Sequence, residues 1–518
     1  MSITLLRFSI LLGAAVKGLP FNPSPRCSTL RWTPCSSGFI DEVAAGRPAP
    51  NLTFDCATLS VPLDYTDDAS PPLDLSLIRL NATQEPVIGN ALINPGGPGG
   101  PGIEQLVFAG SSYLGLSGQY NWIGFDPRGT GRTIPFDCQA NPPQDYFPQA
   151  KESLTDSGLV EDAWRTAELY AAKCSEAQAA TGSFLSTSFV ARDMLEILKH
   201  LPDEKLNYVG TSYGTFLGEV FASMFPEHVG RFVLDAVVNP TDWRAGTRDT
   251  FLQDTDIVYE GFYTECAARP DNCALTTLVP APADPVAIRN IVESSFSQLL
   301  AVDQFIYRII KNILRQALYA PSSWPSIAST LTSLIAPPNA TTPGLNTTSP
   351  NTTSPPPPYN EGVDAFWGIS CLDTPWRSSG PSDLIPIAAR QQPLSYFANV
   401  FADATIWRCA AWSIEPAEYY AGPFEARTAT PILFVGGKRD PITPLSAAFN
   451  ASSGFVGSRV STNDGYGHSL FNDPSRCTYD AVRAYLVDGT LPEEGKVCVA
   501  DRKPFDPAFG TAVVATSV

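Results

Sequence analysis

Histidine is scarce in this chain: 518 residues hold three, at His200, His228 and His468. With so few imidazoles, and no CxxC pair among eleven cysteines, the sequence offers no Cys/His cluster able to hold a metal. Cations are also few. Against 52 Asp and Glu stand only 34 Lys and Arg, giving a net charge of −18. Such a surface repels nucleic-acid phosphates and anionic membranes, whereas a substrate bearing a positive amine is tolerated better. Beyond the N-terminus no run is long and apolar enough to span a bilayer, so stable membrane insertion is not expected. A nucleotide cradle is missing too. The turn Asp126 to Arg132, DPRGTGR, lacks the lysine of GxxxxGK[ST] and the spacing of GxGxxG. Arg128 is expected instead to brace nearby loops through carbonyls or a carboxylate.

What is present points outward from the cell. Met1 to Arg7 ends in a cation and Phe8 to Val16 is a short apolar core followed by small residues, which predicts a signal peptide over residues 1–18. Eleven cysteines favour disulfides and an oxidising compartment. Neighbours in sequence suggest Cys35 with Cys56, Cys138 with Cys174, Cys266 with Cys273, Cys371 with Cys409, and Cys477 with Cys498. Connectivity is not proven by adjacency, and Cys27 is left free, paired with another chain, or removed by processing. Glycosylation sequons at Asn51, Asn81, Asn339, Asn346, Asn351 and Asn450 add a little to the secretion argument.

Residues 19–240 alternate short apolar runs with helical periodicity, as a mostly parallel sheet flanked by helices requires. Strands are expected at Asn90 to Ile93, Trp122 to Asp126, Leu206 to Val209 and Arg231 to Leu234. Val190, Met194, Ile197, Leu198 and Leu201 recur at helical spacing and predict a crossover helix. Over 241–427 the pattern turns helical and reads as a cap. Its stretch 337–358 is rich in Pro, Thr, Asn and Ser and reads as an exposed loop. Residues 428–518 return to α/β character with the buried-strand run Pro431 to Val435.

The chemistry centres on Gly210-Thr211-Ser212-Tyr213-Gly214, between a strand-like and a helix-like run. A GxSxG pentapeptide in that setting is a nucleophile elbow, with Ser212 as the candidate nucleophile. Serine needs an imidazole to take its proton. His468, in the glycine-flanked GYGHS turn, is the candidate base, while His200 and His228 look like exposed loop residues. The imidazole needs an acid. Asp440, just beyond the Pro431 strand, is the candidate, and Asp235, closing the strand after the elbow helix, competes with it. An oxyanion requires backbone amides already aimed at it. Tyr213, after the nucleophile, and Gly97, in the loop Asn94 to Gly100, are the candidate donors. No metal or cofactor is called for.

Together the NPGGPGG loop, DPRGTGR, GTSYGT, GGKRDPITP and GYGH make the chain resemble α/β-hydrolases of the tripeptidyl aminopeptidase and proline iminopeptidase family. The tail from Cys477 to Cys498, with Ile369 to Asp373 and Cys409 to Trp412, resembles the tripeptidyl aminopeptidase-like branch. The resemblance implies an α/β-hydrolase fold with a large helical cap inserted between the nucleophile and acid segments. It also implies a cofactor-free serine exopeptidase that releases short peptides or residues from free N-termini. In the iminopeptidases the glycine loop reads HGGPG; here Pro95 replaces its histidine, which argues against proline specificity. Such relatives grip the substrate ammonium with cap carboxylates, for which Asp364 and Asp373 are candidates. The same triad would serve an esterase, lactonase or amidase, or persist on a binding protein without activity.

Overall fold

The computed structural model describes residues 30–48, 51–138, 153–336, 363–401, 407–473, 475–507 and 509. The expected signal peptide, Cys27 and the Pro/Thr-rich stretch 337–358 lie outside them. Among the described residues ten strands form one sheet: β1 (Thr33–Pro34), β2 (Asp55–Pro62), β3 (Pro72–Leu80), β4 (Gly89–Asn94), β5 (Tyr120–Phe125), β6 (Leu206–Thr211), β7 (Val229–Asp235), β8 (Leu433–Arg439), β9 (Arg459–Tyr466) and β10 (Val497–Val499). Their order is β1-β2-β3-β5-β4-β6-β7-β8-β9-β10. From β5 across to β10 every pairing is parallel, whereas β1, β2 and β3 add an antiparallel edge.

The period-two alternation of a strand divides the core between two faces. Leu92, Phe232, Leu234 and Phe434 point to one face, where Val190 and Met194 of the helix Thr187–Lys199 and Phe216 and Val220 of the helix Tyr213–Met224 cover them. Ala91, Ile93, Val233, Leu433 and Val435 point to the other, against Leu106 and Tyr113 of the helix Gly102–Leu116 and Val482 and Tyr485 of the helix Arg476–Asp488. Central strands buried on both sides read as near-continuous apolar runs, which is why they were legible.

Between β7 and β8 the described elements are helical, including Thr255–Ala268, Pro285–Val302, Gln304–Ala317, Trp324–Ile335 and Val363–Asp373. Phe262, Val292, Leu314 and Trp324 give these helices a core of their own, into which Tyr466 of β9 reaches. The cap is therefore packed on the end of the strand that precedes His468.

All five expected cysteine pairs form disulfides. Arg128 braces loops as its setting suggested. Its Nε and Nη2 donate to the two carboxylate oxygens of Asp193 at 2.7 and 2.9 Å, and it also donates to the carbonyls of Pro62, Leu63 and Phe184. Both side chains of the pair are wholly buried.

Candidate active site

Strand β6 ends at Thr211, and the helix begins at Tyr213. The single residue between them, Ser212, takes φ 57° and ψ −126°. A non-glycine residue there stores on the order of 1–3 kcal/mol of backbone strain, which the surroundings must impose. They do so through hydrogen bonds and close packing. The Ser212 amide donates to the Asp235 carbonyl at 3.0 Å, and its own carbonyl accepts the Thr215 amide and hydroxyl at 2.8 and 2.7 Å. A Cβ at Gly210 would stand 2.3 Å from the Gly214 carbonyl oxygen, and one at Gly214 would stand 2.6 Å from that of Asn94. The two glycines of the pentapeptide are thus needed for the turn to close against β4.

The glycine loop after β4 lies directly on this elbow. At Gly96, φ is +93°, and a Cβ would stand 2.4 Å from the Thr211 carbonyl oxygen, 2.9 Å from Ser212 Cβ and 3.0 Å from the Tyr213 amide nitrogen. The residue in van der Waals contact with the elbow is therefore Gly96, and Gly97, at φ +107°, is its immediate neighbour. The Tyr213 hydroxyl is hydrogen-bonded to Thr187.

Across the sheet, Asp440 and His468 meet. Nδ1 of His468 lies 2.9 Å from Oδ2 and 3.1 Å from Oδ1 of Asp440. The carboxylate is 1 % exposed and the histidine 8 %. Asp440 is held in place by the amides of Ile442 and Thr443, each donating to Oδ1 at 2.9 Å, and by the Thr443 hydroxyl donating to Oδ2 at 2.7 Å. A carboxylate at Nδ1 selects the tautomer whose proton sits there and leaves Nε2 able to accept one. Strand β9 runs to Tyr466, so the imidazole stands two residues beyond a parallel strand's C-terminal end, and Ser212 stands one residue beyond that of β6. This is the edge where open α/β sheets gather reactive groups.

Asp235 has a different task. Its two oxygens accept the amide of Leu470 at 3.0 and 3.2 Å, so it tethers the loop that carries His468. Burial raises its pKa to about 7. His200 and His228 lie ahead of the N-terminal ends of β6 and β7: the first bonds the Glu196 carbonyl at 2.9 Å, and the second lies 3.6 Å from Glu227.

The two cap carboxylates are engaged in scaffolding. Asp364 accepts the Cys138 amide at 2.7 Å and the Tyr170 hydroxyl. Asp373 accepts the Thr187 amide at 3.0 Å, the Thr187 hydroxyl at 2.6 Å and the Trp243 indole at 3.3 Å. Burial raises the Asp373 pKa to about 6. Three contributors escaped the sequence reading: Thr443, Gly96 as the contact residue, and Tyr319 of the cap, whose carbonyl accepts the His468 amide at 2.8 Å. Thr443 and Gly96 carried a signal, the DPITP turn and the NPGGPGG loop, and Tyr319 carried none.

Residues 92–271 match the family described as "alpha/beta hydrolase fold", and residues 392–498 match "TAP-like protein". The chain is an α/β-hydrolase with a TAP-like C-terminal part. The first match spans Gly96 to Tyr213, and the second holds Asp440 and His468. Among relatives of this α/β-hydrolase, the tripeptidyl aminopeptidase of Streptomyces lividans is 26 % identical over 87 % of this chain and 84 % of its own. Serine protease Hip1 of Mycobacterium tuberculosis is 27 % identical over 90 % of this chain and 91 % of its own. Carboxylesterase B of the same organism is also 27 % identical, over 96 % and 98 %. With this fold and these relatives, the α/β-hydrolase is an enzyme of the serine hydrolase type.

Proposed function

We propose that the chain is a secreted aminopeptidase that cleaves short peptides or residues from free N-termini. Ser212 attacks the scissile carbonyl, His468 takes its proton and returns it to the leaving amine, and Asp440 holds the imidazole and stabilises its charged form. The amides of Gly97 and Tyr213 receive the oxyanion. The observation that carries this reading is the buried Asp440–His468 pair, the carboxylate at Nδ1, on the same sheet edge as a strained serine. Water then resolves the acyl-enzyme by the same route. The relatives named as a tripeptidyl aminopeptidase and a serine protease support peptide substrates. Five disulfides support export. The division into body, residues 19–240 and 428–518, and cap, residues 241–427, belongs to the same reading.

One observation favours a second reading. The relative named as a carboxylesterase matches over a larger share of both chains than the peptidases do. The triad would serve ester cleavage equally, with the cap selecting the substrate.

The test is turnover of aminoacyl, dipeptidyl and tripeptidyl chromogenic amides beside simple aryl esters, with Ser212→Ala as control. Amide turnover that requires a free amino terminus supports the aminopeptidase. Ester turnover alone supports the second reading, and undiminished activity of Ser212→Ala would overturn both.

A further inference from the structure

Tyr319 belongs to the cap, yet it is built into the turn that carries His468. It lies two residues past the helix Gln304–Ala317. Besides its carbonyl's bond to the His468 amide, its ring stands 5.1 Å from the imidazole, centroid to centroid, at an interplanar angle of 70°. The contact is close along the whole segment. A Cβ at Gly467 would stand 2.8 Å from Pro321 Cδ and 3.1 Å from the Tyr319 carbonyl oxygen, so glycine, at φ +115°, is what admits the cap here. On its far side the Tyr319 hydroxyl accepts from Arg315 at 3.4 Å, and Arg315, itself buried, is steadied by Asn312.

The imidazole is thus held from two directions by two parts of the molecule. Asp440 and Thr443 from the body engage its Nδ1 edge, while a cap residue covers it with an aromatic ring. One hydrogen bond at Nδ1 sets the tautomer but leaves the ring able to rock about it. A packed neighbour removes that freedom, and a misplacement of about 1 Å costs on the order of a hundredfold in rate.

We propose that Tyr319 is a positioning residue for His468: its ring holds the imidazole at the rotation that presents Nε2 to Ser212, making the cap part of the machinery that activates the nucleophile. The proposal rests on His468 being the base. It assigns the cap a task beyond choosing substrates, because a shift of the segment after Gln304–Ala317 would move the imidazole.

The experiment compares Tyr319→Ala, Tyr319→Leu and Tyr319→Phe with wild type for kcat, KM, the rate at which a fluorophosphonate labels Ser212, and Tm. Tyr319→Phe keeps the ring and is expected to retain wild-type rates. Tyr319→Ala and Tyr319→Leu are expected to lose about 10- to 100-fold in both kcat and labelling rate with KM changed less than about threefold. If Tyr319→Ala does not fold, Tyr319→Leu carries the same comparison. Wild-type kcat in the ring-less variants would overturn the proposal. So would a loss confined to KM, or an equal loss in Tyr319→Phe. His468→Ala separates this from the underlying assignment: wild-type labelling there refutes His468 as base, whereas a dead His468→Ala beside a fully active Tyr319→Leu refutes Tyr319 alone.

Discussion

Asp235 grips the loop of His468 through its backbone: both carboxylate oxygens accept the amide of Leu470, two residues further on. Two buried aspartates thus flank one histidine, Asp440 on the ring and Asp235 on the backbone. Their amide variants should separate cleanly. Asp440→Asn removes the charge that fixes the Nδ1 proton and is expected to lower kcat by about 10³- to 10⁴-fold. Asp235→Asn keeps an acceptor for Leu470 and is expected to cost less than about tenfold. Steady-state kinetics on one substrate decide it, and equal losses would return Asp235 to the triad.

Acidity should stabilise this protein. Burial raises Asp235 and Asp473 to about 7 and Asp373 to about 6. An acid whose folded pKa lies above its unfolded value binds more protons when folded. Its contribution is therefore fully present below the unfolded value near 4 and is lost as pH rises through the folded one. For an aspartate moved from 3.8 to about 7 the upper limit is about 4 kcal/mol. Urea unfolding should give a higher midpoint at pH 5 than at pH 8, and Asp235→Asn should shrink the difference. A midpoint that rises between pH 5 and pH 8 would contradict this.

The parts of the site that could be read from the sequence are those whose signal is local. GxSxG between a strand and a helix, a glycine loop after a strand, and an aspartate after another each announce themselves within a few residues. The five disulfides join cysteines that neighbour one another in the cysteine order, 7 to 38 residues apart. Chain order favoured Asp440 over Asp235, but only the structure gives Asp235 its own task. Contacts that depend on where the cap lands were not legible. Tyr319 lies 149 residues from His468, counting 468 minus 319, and nothing in the residues near it marks it out. The antiparallel edge of β1 to β3 was also missed, since edge strands carry a weaker apolar pattern than the buried parallel ones.

Arg128 and Asp193 form a wholly buried, two-pronged ion pair, so removing one partner leaves a charge without its counterpart. Arg128→Met is expected to cost about 3–5 kcal/mol, and Arg128→Met with Asp193→Leu less than the sum of the two single changes. Lysine at position 128 cannot reproduce the fork and should recover only part of the loss. Equilibrium unfolding in urea measures all four variants. Asp193→Leu costing under about 1 kcal/mol while Arg128→Met keeps its full cost would show that the carbonyls of Pro62 and Leu63, not Asp193, carry the brace.

Glu219 sits two turns into the elbow helix, fully buried, and neither of its carboxyl oxygens has a hydrogen-bond partner. Burial raises its pKa well above the ordinary value, because removal from water disfavours the charged form. A polar group desolvated without compensation lowers stability by about 1–3 kcal/mol. Glu219→Met keeps the length and removes the polar atoms, so it should raise stability by about that much, with a larger gain at pH 8, where the unfolded chain would ionise Glu219 and the folded one resists it. Glu219→Gln should remove the pH dependence while keeping the desolvation cost. Denaturation midpoints of both variants at pH 5 and pH 8 test the argument, and a Glu219→Met protein less stable than wild type at both would mean that the carboxyl has a partner, such as a buried water.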